Sequence, residues 1–308
     1  MLSQFELNNN NQIIVDENCH TSISNIYAID DSSFDNKKTK SINNAFNDAK
    51  KAINHTLKYK SKTNKLIVIV MPTSSNKTEL ARKINEKFNF PLVNAGAFQV
   101  YKELNYGRNK MNKNDIKNMR VYLMDSISIY DEWNIKKCQF EANKIIDNIY
   151  KNKKIPIIVG GSNLYVDVLI KKYYLSSSNA RSNKYENLNN KELSELLKKL
   201  DLKEAQKIPI NNRRRIIRAL EIIDDTEVTK SQKDFQRNVY FDCLIIYMDV
   251  PREILYKTIN ENVIKMIKKG WKNELKGLLL KDKNIMHLTA LKATAIMKFI
   301  CQLYIMKK

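Results

Sequence analysis

The sequence predicts an α/β protein with a doubly wound parallel sheet and a helical insertion domain. Three apolar runs of strand length support this prediction, at residues 66–70, 155–159 and 243–248, the last within a predicted strand over 241–250. Such runs are typical of central parallel strands, which are buried on both faces. Segments with helical spacing of apolar residues alternate with these runs. This alternation indicates parallel strands joined by right-handed helical crossovers.

Weaker patterns supply the remaining elements of the predicted sheet. In chain order they are a helix over 79–88, strands over 91–94 and 121–124, and helices over 135–150 and 164–170. Each helix has apolar residues recurring at three- and four-residue intervals, which is the spacing of one helix face. After the last long strand, residues 254–279 are interpreted as one long basic helix or as a pair of helices.

Composition divides the chain into four segments. Residues 1–62 are rich in Asn, Ser, Lys and Asp, so we expect a low-complexity and mostly disordered leader, with a short helix around 42–57 as an option. Residues 63–172 form the first part of the core. Residues 173–238 lack strand patterns and form the helical insertion. Residues 239–308 form the second part of the core with C-terminal helices.

The composition is compatible with a folded, strongly basic protein. Of the 308 residues, 43% are hydrophobic, which suffices for a buried core. The formal net charge is +21 and the isoelectric point is near 9.6, which favours a polyanionic partner such as nucleic acid. Abundant Lys, Asn and Ile are also expected from an A+T-rich genome. Charge alone therefore does not decide between these explanations.

Several kinds of site and location are not indicated. The four cysteines are far apart and form no C-x-x-C pair, and the three histidines are isolated, so we expect neither a metal site nor a disulfide framework. No apolar run approaches the roughly 18 to 20 residues of a membrane span. The N-terminus lacks a hydrophobic signal region, so we expect a cytoplasmic or organellar (mitochondrial or plastid) protein that is not secreted.

A candidate phosphate-binding loop follows the first buried strand. Residues 71–78 read MPTSSNKT and lead into a predicted helix, which is where a P-loop lies. Backbone N–H groups and a helix N-terminus would face an anion there, Lys77 would add charge, and Thr78 would add a hydroxyl. Both glycines of G-x-x-x-x-G-K-[ST] are absent, with Met71 and Asn76 in their places. An ordinary strand–turn–helix would explain the segment as well.

Four blocks of sequence resemble the tRNA dimethylallyltransferase (IPP transferase) family. They read PTSSNKT at 72–78, NAGAFQVY at 94–101, PIIVGGSNLY at 156–165 and RIIRALE at 215–221. The first is similar to the family's Gly-Pro-Thr-Ala-Ser-Gly-Lys-Thr, and the third to its Pro-Ile-Leu-Val-Gly-Gly-Thr-Gly-Leu-Tyr. The blocks keep the family's order and spacing from about 64 to 294. The resemblance implies a P-loop-type sheet.

The resemblance also implies a reaction and its site. A dimethylallyl group would move from dimethylallyl diphosphate to N6 of adenosine-37 in tRNA. The implied diphosphate-binding residues are Thr73, Ser75, Asn76, Lys77 and Thr78, and the implied catalytic residues are Lys77, Thr78 and Ser162. The implied tRNA contacts are Gln99, Lys102, Arg214, Arg215 and Arg218. Family practice implies Mg²⁺ with the diphosphate, and we expect a monomer without membrane association.

The chain departs from the family pattern at positions that matter for catalysis. The general-base aspartate falls on Gly96, and an arginine expected beside the departing diphosphate falls on Asn262. Loss of a positioned base typically costs 10²–10⁴-fold in rate, so we expect weak activity. Asp125 is interpreted as structural. The chain also ends before the family's final tRNA-contacting helix, so it is expected to be truncated.

Two alternatives to a working enzyme stay open. The first is a catalytically impaired relative that binds tRNA or a diphosphate without turnover. The second is a P-loop small-molecule kinase. The double glycine at 160–161 and the RIIRALE block favour the enzyme and its impaired relative over the kinase.

Overall fold

The computed structural model describes most of the chain in two compact units. The described residues are 6–9, 12–23, 26–29, 42–58, 64–72, 74–108, 110–171, 183–226, 229, 241–247 and 250–292. One unit comprises residues 1–170 and 241–308, and the other comprises residues 171–240. The predicted insertion at 173–238 lies within the second unit.

A six-stranded sheet, in which every described strand pair is parallel, forms the centre of the first unit. The strands are β1 (Ile26–Ala28), β2 (Lys65–Val70), β3 (Leu92–Asn94), β4 (Val121–Tyr122), β5 (Ile157–Gly160) and β6 (Asp242–Tyr247). Their order across the sheet is β1-β6-β2-β5-β3-β4. The predicted α/β class with a parallel sheet is therefore confirmed.

Seven helices of the first unit are described around this sheet. They are α1 (Ile42–Lys58), α2 (Lys77–Phe88), α3 (Lys113–Asn118), α4 (Ile135–Lys151), α5 (Asn163–Ile170), α9 (Arg252–Lys268) and α10 (Trp271–Lys281). The second unit contains α6 (Asn190–Leu200), α7 (Leu202–Ala205) and α8 (Arg213–Thr226). None of the described helices is long and apolar enough to cross a membrane.

Helices cover both faces of the sheet because successive side chains of a strand point to opposite faces. Leu66 and Val68 of β2 belong to a core cluster with residues of α4 and α5. Ile67 and Ile69 belong to a second cluster with residues of α1 and α2. All four side chains are at most 3% exposed. The prediction that the strand at 66–70 is buried on both faces is therefore confirmed.

The expectation of a mostly disordered leader is wrong for its described parts. Strand β1 pairs with β6, and helix α1 confirms the optional helix at 42–57. Ala45, Ala49, Ala52 and Ile53 of α1 are completely buried. These residues follow the i, i+4, i+7, i+8 spacing of one helix face. Three of the four residues are alanines, so the segment has low hydrophobicity although one face of the helix packs against the core.

Two other predictions are corrected in detail. The predicted strand over 121–124 ends at Tyr122, because Leu123 and Asp125 have positive φ angles of 57° and 50°, which a strand does not accommodate. The segment interpreted as one helix or a helix pair at 254–279 is a pair, α9 and α10. Gly270, with φ of 108°, lies between them in a conformation that favours glycine.

The second unit packs its three helices around a small core of its own. Leu193, Leu197, Ile216 and Leu220 are buried there. Asn189 accepts hydrogen bonds from the first turn of α6, and Glu192 accepts one from the Asn189 backbone N–H, so a capping box starts this helix. Leu200, the last residue of α6, is 44% exposed.

Candidate functional site

The connectivity of the sheet marks one crevice as a ligand site. From β2 the chain crosses beyond β5 to β3, whereas from β5 it crosses to β6 on the other side of β2. The connections thus leave β2 and β5 in opposite directions, and ligands of open α/β sheets bind at such a switch point. Val70 pairs with Gly160, so the loops that follow β2 and β5 emerge side by side.

The loop after β2 adopts a compact turn before α2. Ser74 and Asn76 have positive φ angles of 65° and 60°. Asparagine tolerates this left-handed region better than most other residues with a side chain, which explains how Asn76 replaces a glycine at the start of α2. Thr73, predicted to bind diphosphate, lies outside the described residues.

Lys77 and Ser75 are held by one carbonyl group of this loop. The Lys77 Nζ donates a hydrogen bond of 2.8 Å to the Pro72 carbonyl oxygen, and the Ser75 Oγ donates one of 2.7 Å to the same oxygen. Burial lowers the pKa of the Lys77 ammonium to about 8. The loop thus presents a desolvated cation whose only described hydrogen-bond acceptor is a neutral carbonyl, and an anion would be a stronger acceptor.

The turn after β5 lies against Lys77. A Cβ atom added to Gly161 would lie 3.4 Å from the Lys77 Nζ, and one added to Gly160 would lie 2.7 Å from the Ala95 Cβ. Only glycine at position 160 therefore allows the ends of β5 and β3 to approach this closely. Ser162 follows directly, and its carbonyl oxygen accepts from the N–H groups of Tyr165 and Val166 at the start of α5.

Met71, which replaces the first glycine of the loop motif, points into the core. Its side chain is 2% exposed and belongs to the cluster of α1 and α2 residues. The bulky side chain thus packs under the loop and does not occupy the crevice above it. Loss of this glycine is therefore compatible with an anion site beside Lys77.

The first turn of α2 completes the candidate anion site. Thr78 is exposed there and adds a hydroxyl group beside Lys77. Glu79 of the same turn accepts from the Arg82 Nε at 2.9 Å, and this bond holds the pKa of the Glu79 carboxyl below its usual range. Because Arg82 offsets this negative charge, Glu79 repels an anion at the helix N-terminus less than an isolated carboxylate would.

The loop after β3 is fixed by a buried amide. The Asn94 Nδ2 donates to the Leu123 carbonyl oxygen at 2.8 Å, and the Asn94 Oδ1 accepts from the Gly96 N–H at 3.1 Å. Gln99 and Lys102, both predicted to contact tRNA, lie on this loop and just after it. Gln99 is partly buried, whereas the Lys102 side chain is exposed.

A buried ion pair that the sequence patterns did not reveal supports the same loop. The Lys110 Nζ lies 2.5 Å from an Asp125 oxygen and also donates to the Tyr101 carbonyl oxygen. The Lys110 side chain is 2% exposed, and burial lowers the pKa of its ammonium although Asp125 opposes the shift. This geometry supports the structural interpretation of Asp125, because its carboxylate is engaged by a buried cation.

Glu274 of α10 was also missed by sequence reasoning. Its carboxylate accepts hydrogen bonds from the backbone N–H groups of Asn105, Tyr106 and Gly107, at 2.7, 2.9 and 3.3 Å. These groups begin a short 3₁₀ helix (Tyr106–Arg108), whose first N–H groups have no partner within the helix. Glu274 thus fixes the segment that leads to Lys110.

The arginines of α8 in the second unit differ in their roles. Arg213 donates to the carbonyl oxygens of Leu188, Tyr185 and Glu186, at 2.5 to 2.9 Å, so it is structural. The side chains of Arg214 and Arg215 are exposed, and they bond to no described residue. Arg218 is exposed and pairs with Glu221 at 3.2 Å. Three of the four arginines therefore present charge to solvent.

Family comparison gives a consistent result. The family model described as IPP transferase matches residues 99–304. The tRNA dimethylallyltransferase of Malacoplasma penetrans is 38% identical over 233 residues, which cover 74% of this chain and 77% of that protein. The tRNA dimethylallyltransferase of Lactobacillus acidophilus is 34% identical over 220 residues, which cover 69% and 72% of the two chains.

Solved structures agree with this comparison. A eukaryotic dimethylallyltransferase acting on tRNA superposes with a TM-score of 0.65 at 26% identity, over 72% of this chain. The match spans 57% of that longer chain. The tRNA delta(2)-isopentenylpyrophosphate transferase of Staphylococcus epidermidis superposes with a TM-score of 0.54 at 29% identity, over 78% of this chain and 81% of its own.

Proposed function

This chain belongs to the IPP transferase family, and from that membership we propose that it transfers a dimethylallyl group to tRNA. The donor is dimethylallyl diphosphate, and the acceptor is N6 of adenosine-37. Curated relatives that are 34% and 38% identical bear the name tRNA dimethylallyltransferase. The observation that carries the proposal is the partly buried Lys77 ammonium at the switch point of the sheet, beside Gly161.

The first task of the site is to stabilise the leaving diphosphate. Negative charge grows on the diphosphate as its bond to the dimethylallyl carbon lengthens, and fixed cations and hydrogen-bond donors aimed at that charge lower the barrier. Lys77 and the hydroxyls of Ser75 and Thr78 are the proposed donors, together with the N-terminus of α2. Ser162 adds a hydroxyl from the neighbouring turn. A phosphate oxygen would replace the Pro72 carbonyl as the acceptor for Lys77.

A magnesium ion fits this site as an ion carried by the diphosphate. The described residues contain no cluster of three or more His, Cys, Asp or Glu side chains that could hold a metal. Magnesium commonly takes phosphate oxygens and water as most of its ligands. We therefore propose that the Thr78 hydroxyl is the protein's ligand to such an ion, which would neutralise part of the diphosphate charge when bound.

The second task is to present the adenosine amine and to remove its proton. Gly96 has no side chain to act as a base, and the Asp125 carboxylate is engaged by Lys110. Without a positioned base, we propose that turnover is about 10²–10⁴-fold below that of an enzyme with one. The N6 proton would then pass to the departing diphosphate or to water.

The third task is to hold the tRNA. Exposed Arg214, Arg215 and Arg218 form a basic surface on α8, and we propose that they contact tRNA phosphates. The net charge of +21 supports this assignment through long-range attraction. A monomer acting in the cytoplasm or an organelle stays a prediction.

A turnover assay tests the proposal directly. The full chain is incubated with dimethylallyl diphosphate, Mg²⁺ and a tRNA transcript that carries adenosine-37, and the tRNA nucleosides are analysed by mass spectrometry. We expect slow formation of the N6-dimethylallyl nucleoside. Binding of both substrates without any product would instead identify a catalytically impaired relative. A phosphorylated small molecule formed from ATP would favour the kinase.

A further inference from the structure

The backbone binds the loop after β3 to the loop after β4. The Val100 carbonyl oxygen accepts from the Ser126 and Ile127 N–H groups at 2.8 and 3.1 Å. The Lys102 N–H donates to the Ile127 carbonyl oxygen at 2.8 Å. Gln99 and Lys102, for which the resemblance implies tRNA contacts, lie on either side of Val100. The pairing of the two loops therefore determines where these residues stand.

Lys110 joins the same two loops through its side chain. Its Nζ lies 2.5 Å from an oxygen of Asp125 in the loop after β4, and it also donates to the Tyr101 carbonyl oxygen in the loop after β3. The side chains of Lys110 and Asp125 are 2% and 18% exposed. Hydrogen bonds from a charged donor are stronger than those between neutral groups, and a low local dielectric strengthens them further. The Lys110 ammonium therefore fixes the two loops relative to each other.

Helix α10 in turn fixes the segment that carries Lys110. The Glu274 carboxylate accepts hydrogen bonds from the N–H groups of residues 105–107. A Cβ atom added to Gly107 would overlap the Trp271 Nε1, so the Trp271 indole packs directly on the Gly107 backbone. This segment thus connects the start of α10 to the loop after β3.

The proposed diphosphate site is held by other contacts. Lys77 and Ser75 bond to the Pro72 carbonyl oxygen within their own loop. The turn at Gly161 lies directly against Lys77. These contacts belong to the loops after β2 and β5, so they do not depend on Lys110.

We propose that Lys110 is a positioning residue for the tRNA acceptor, which acts through the loop after β3 and leaves the diphosphate site unaffected. This inference rests on the proposed function. Phosphate contacts of the second unit hold the tRNA in that proposal, so loss of Lys110 should leave both substrates bound and misplace the target amine. A displacement of about 1 Å at the reacting atoms can cost about 10²-fold in rate. Lys110 therefore contributes to the rate constant kcat and not to substrate affinity.

A neutral pair of residues removes the bridge without leaving an unpaired charge. Lys110→Met alone would leave the Asp125 carboxylate largely buried without its cation, which commonly destabilises a protein strongly. Lys110→Met combined with Asp125→Asn avoids this penalty. Asparagine also tolerates the positive φ angle of position 125. We therefore expect this double variant to fold.

Hydrogen–deuterium exchange of single amides tests the bridge with or without turnover. We expect the Ser126 and Lys102 N–H groups to exchange about tenfold faster in the double variant than in the unmodified protein. The Ala95 N–H, which donates to the Val159 carbonyl oxygen at 2.9 Å, is the internal control and should keep its rate. Unchanged exchange at Ser126 and Lys102 would overturn the proposal. Equal loss of protection at all three amides would also overturn it, because it indicates general destabilisation.

Turnover per folded site tests the consequence for the reaction. Calorimetry with dimethylallyl diphosphate counts the folded sites, and kcat is expressed per site. We expect kcat of the double variant to fall by about 10²-fold, with the Michaelis constant KM for tRNA and the affinity for dimethylallyl diphosphate within about twofold of the unmodified protein. An unchanged kcat, with or without a raised KM, would contradict the positioning role.

Tyr150→Phe is the matched control for an ordinary structural loss. The Tyr150 hydroxyl donates to the Lys65 carbonyl oxygen at 2.9 Å in the same unit. Its removal should lower stability and leave kcat per folded site unchanged, and an equal fall of kcat in both variants would overturn the proposal. An unmodified protein that forms no product would contradict the proposed function instead, and amide exchange would then decide the role of Lys110.

Discussion

The Lys77 Nζ and the Pro72 carbonyl oxygen lie 2.8 Å apart, so the loop after β2 provides its own acceptor for the cation that is proposed to bind diphosphate. The same carbonyl accepts from Ser75. An incoming phosphate must therefore replace one neutral acceptor shared by two donors. Charged acceptors form stronger hydrogen bonds than neutral ones, so this exchange favours the diphosphate.

Replacement of Lys77 by methionine is expected to stabilise the fold and weaken binding. Burial lowers the pKa of Lys77 to about 8, whereas a lysine in an unfolded chain titrates near 10.4. The ammonium is charged in both states at pH 7, and burial penalises the charged folded form. Lys77→Met should therefore raise the melting temperature at pH 7 and reduce affinity for dimethylallyl diphosphate at least tenfold in calorimetry.

The sign of the pH dependence checks the cause of this stabilisation. Between pH 8 and about 10.4, Lys77 binds more protons in the unfolded state than in the folded state. The free energy of unfolding of the unmodified protein therefore rises with pH over this range. The advantage of Lys77→Met should shrink over this window. Lys87→Met, at the exposed far end of α2, should change neither stability nor binding. A less stable Lys77→Met protein would contradict the burial argument.

Affinity for dimethylallyl diphosphate is expected to fall above pH 8. Binding requires the charged form of Lys77, and burial leaves that group with a pKa of about 8. Calorimetry should detect uptake of a proton at pH 9, because the bound anion raises the pKa of the ammonium again. Lys77→Arg serves as the control, because arginine keeps its charge at every pH used. Any pH dependence of affinity in this variant comes from titration of the ligand alone. Equal pH profiles for the two proteins would refute the prediction.

The arginines of α8 are expected to separate into two classes. Arg214→Ala combined with Arg215→Ala should weaken tRNA binding and reduce the slope of affinity against salt concentration by about 1 for each lost phosphate contact. Arg213→Ala should instead lower thermal stability, because three carbonyl oxygens lose their donor. Binding titrations at several salt concentrations distinguish the classes. An unchanged salt slope in the double variant would remove the phosphate assignment.

Loss of the Glu274 carboxylate is expected to destabilise the first unit. Glu274→Ala removes the carboxylate that accepts from three backbone N–H groups, two of them partly buried, and hydrogen bonds to a charged group contribute about 1.5–3 kcal/mol. Denaturant unfolding should show a loss of that size. Glu261→Ala, on the exposed surface of α9, should stay within about 0.5 kcal/mol of the unmodified protein. Equal stabilities of the two variants would contradict this role of Glu274.

Local patterns in the sequence predicted the central sheet and the loop that carries Lys77. The apolar run at 66–70 indicates burial on both faces of β2, and helix α2 begins at Lys77, seven residues after the strand ends at Val70. Asn76 could be predicted at a left-handed position because few other residues with side chains adopt that conformation. These features are determined by residues that are close together in the sequence, so local sequence patterns can predict them.

Long-range contacts of the site could not be predicted in the same way. The bond between Asn105 and Glu274 joins residues 169 positions apart, and no local pattern marks either of them. Arg213 and Arg214 are adjacent and chemically identical. The folded unit places three carbonyl oxygens around the Arg213 guanidinium and leaves the Arg214 side chain exposed. Likewise, the sequence shows that Gly96 lacks a side chain, but only the fold shows Gln99 beside it.

A crystal structure with a non-reactive thio analogue of dimethylallyl diphosphate tests the central claim most directly. The account predicts that the Lys77 Nζ leaves the Pro72 carbonyl and binds a phosphate oxygen, with the diphosphate between the N-terminus of α2 and the turn at Gly161. A structure with the analogue bound elsewhere, and with Lys77 still bonded to Pro72, would contradict it.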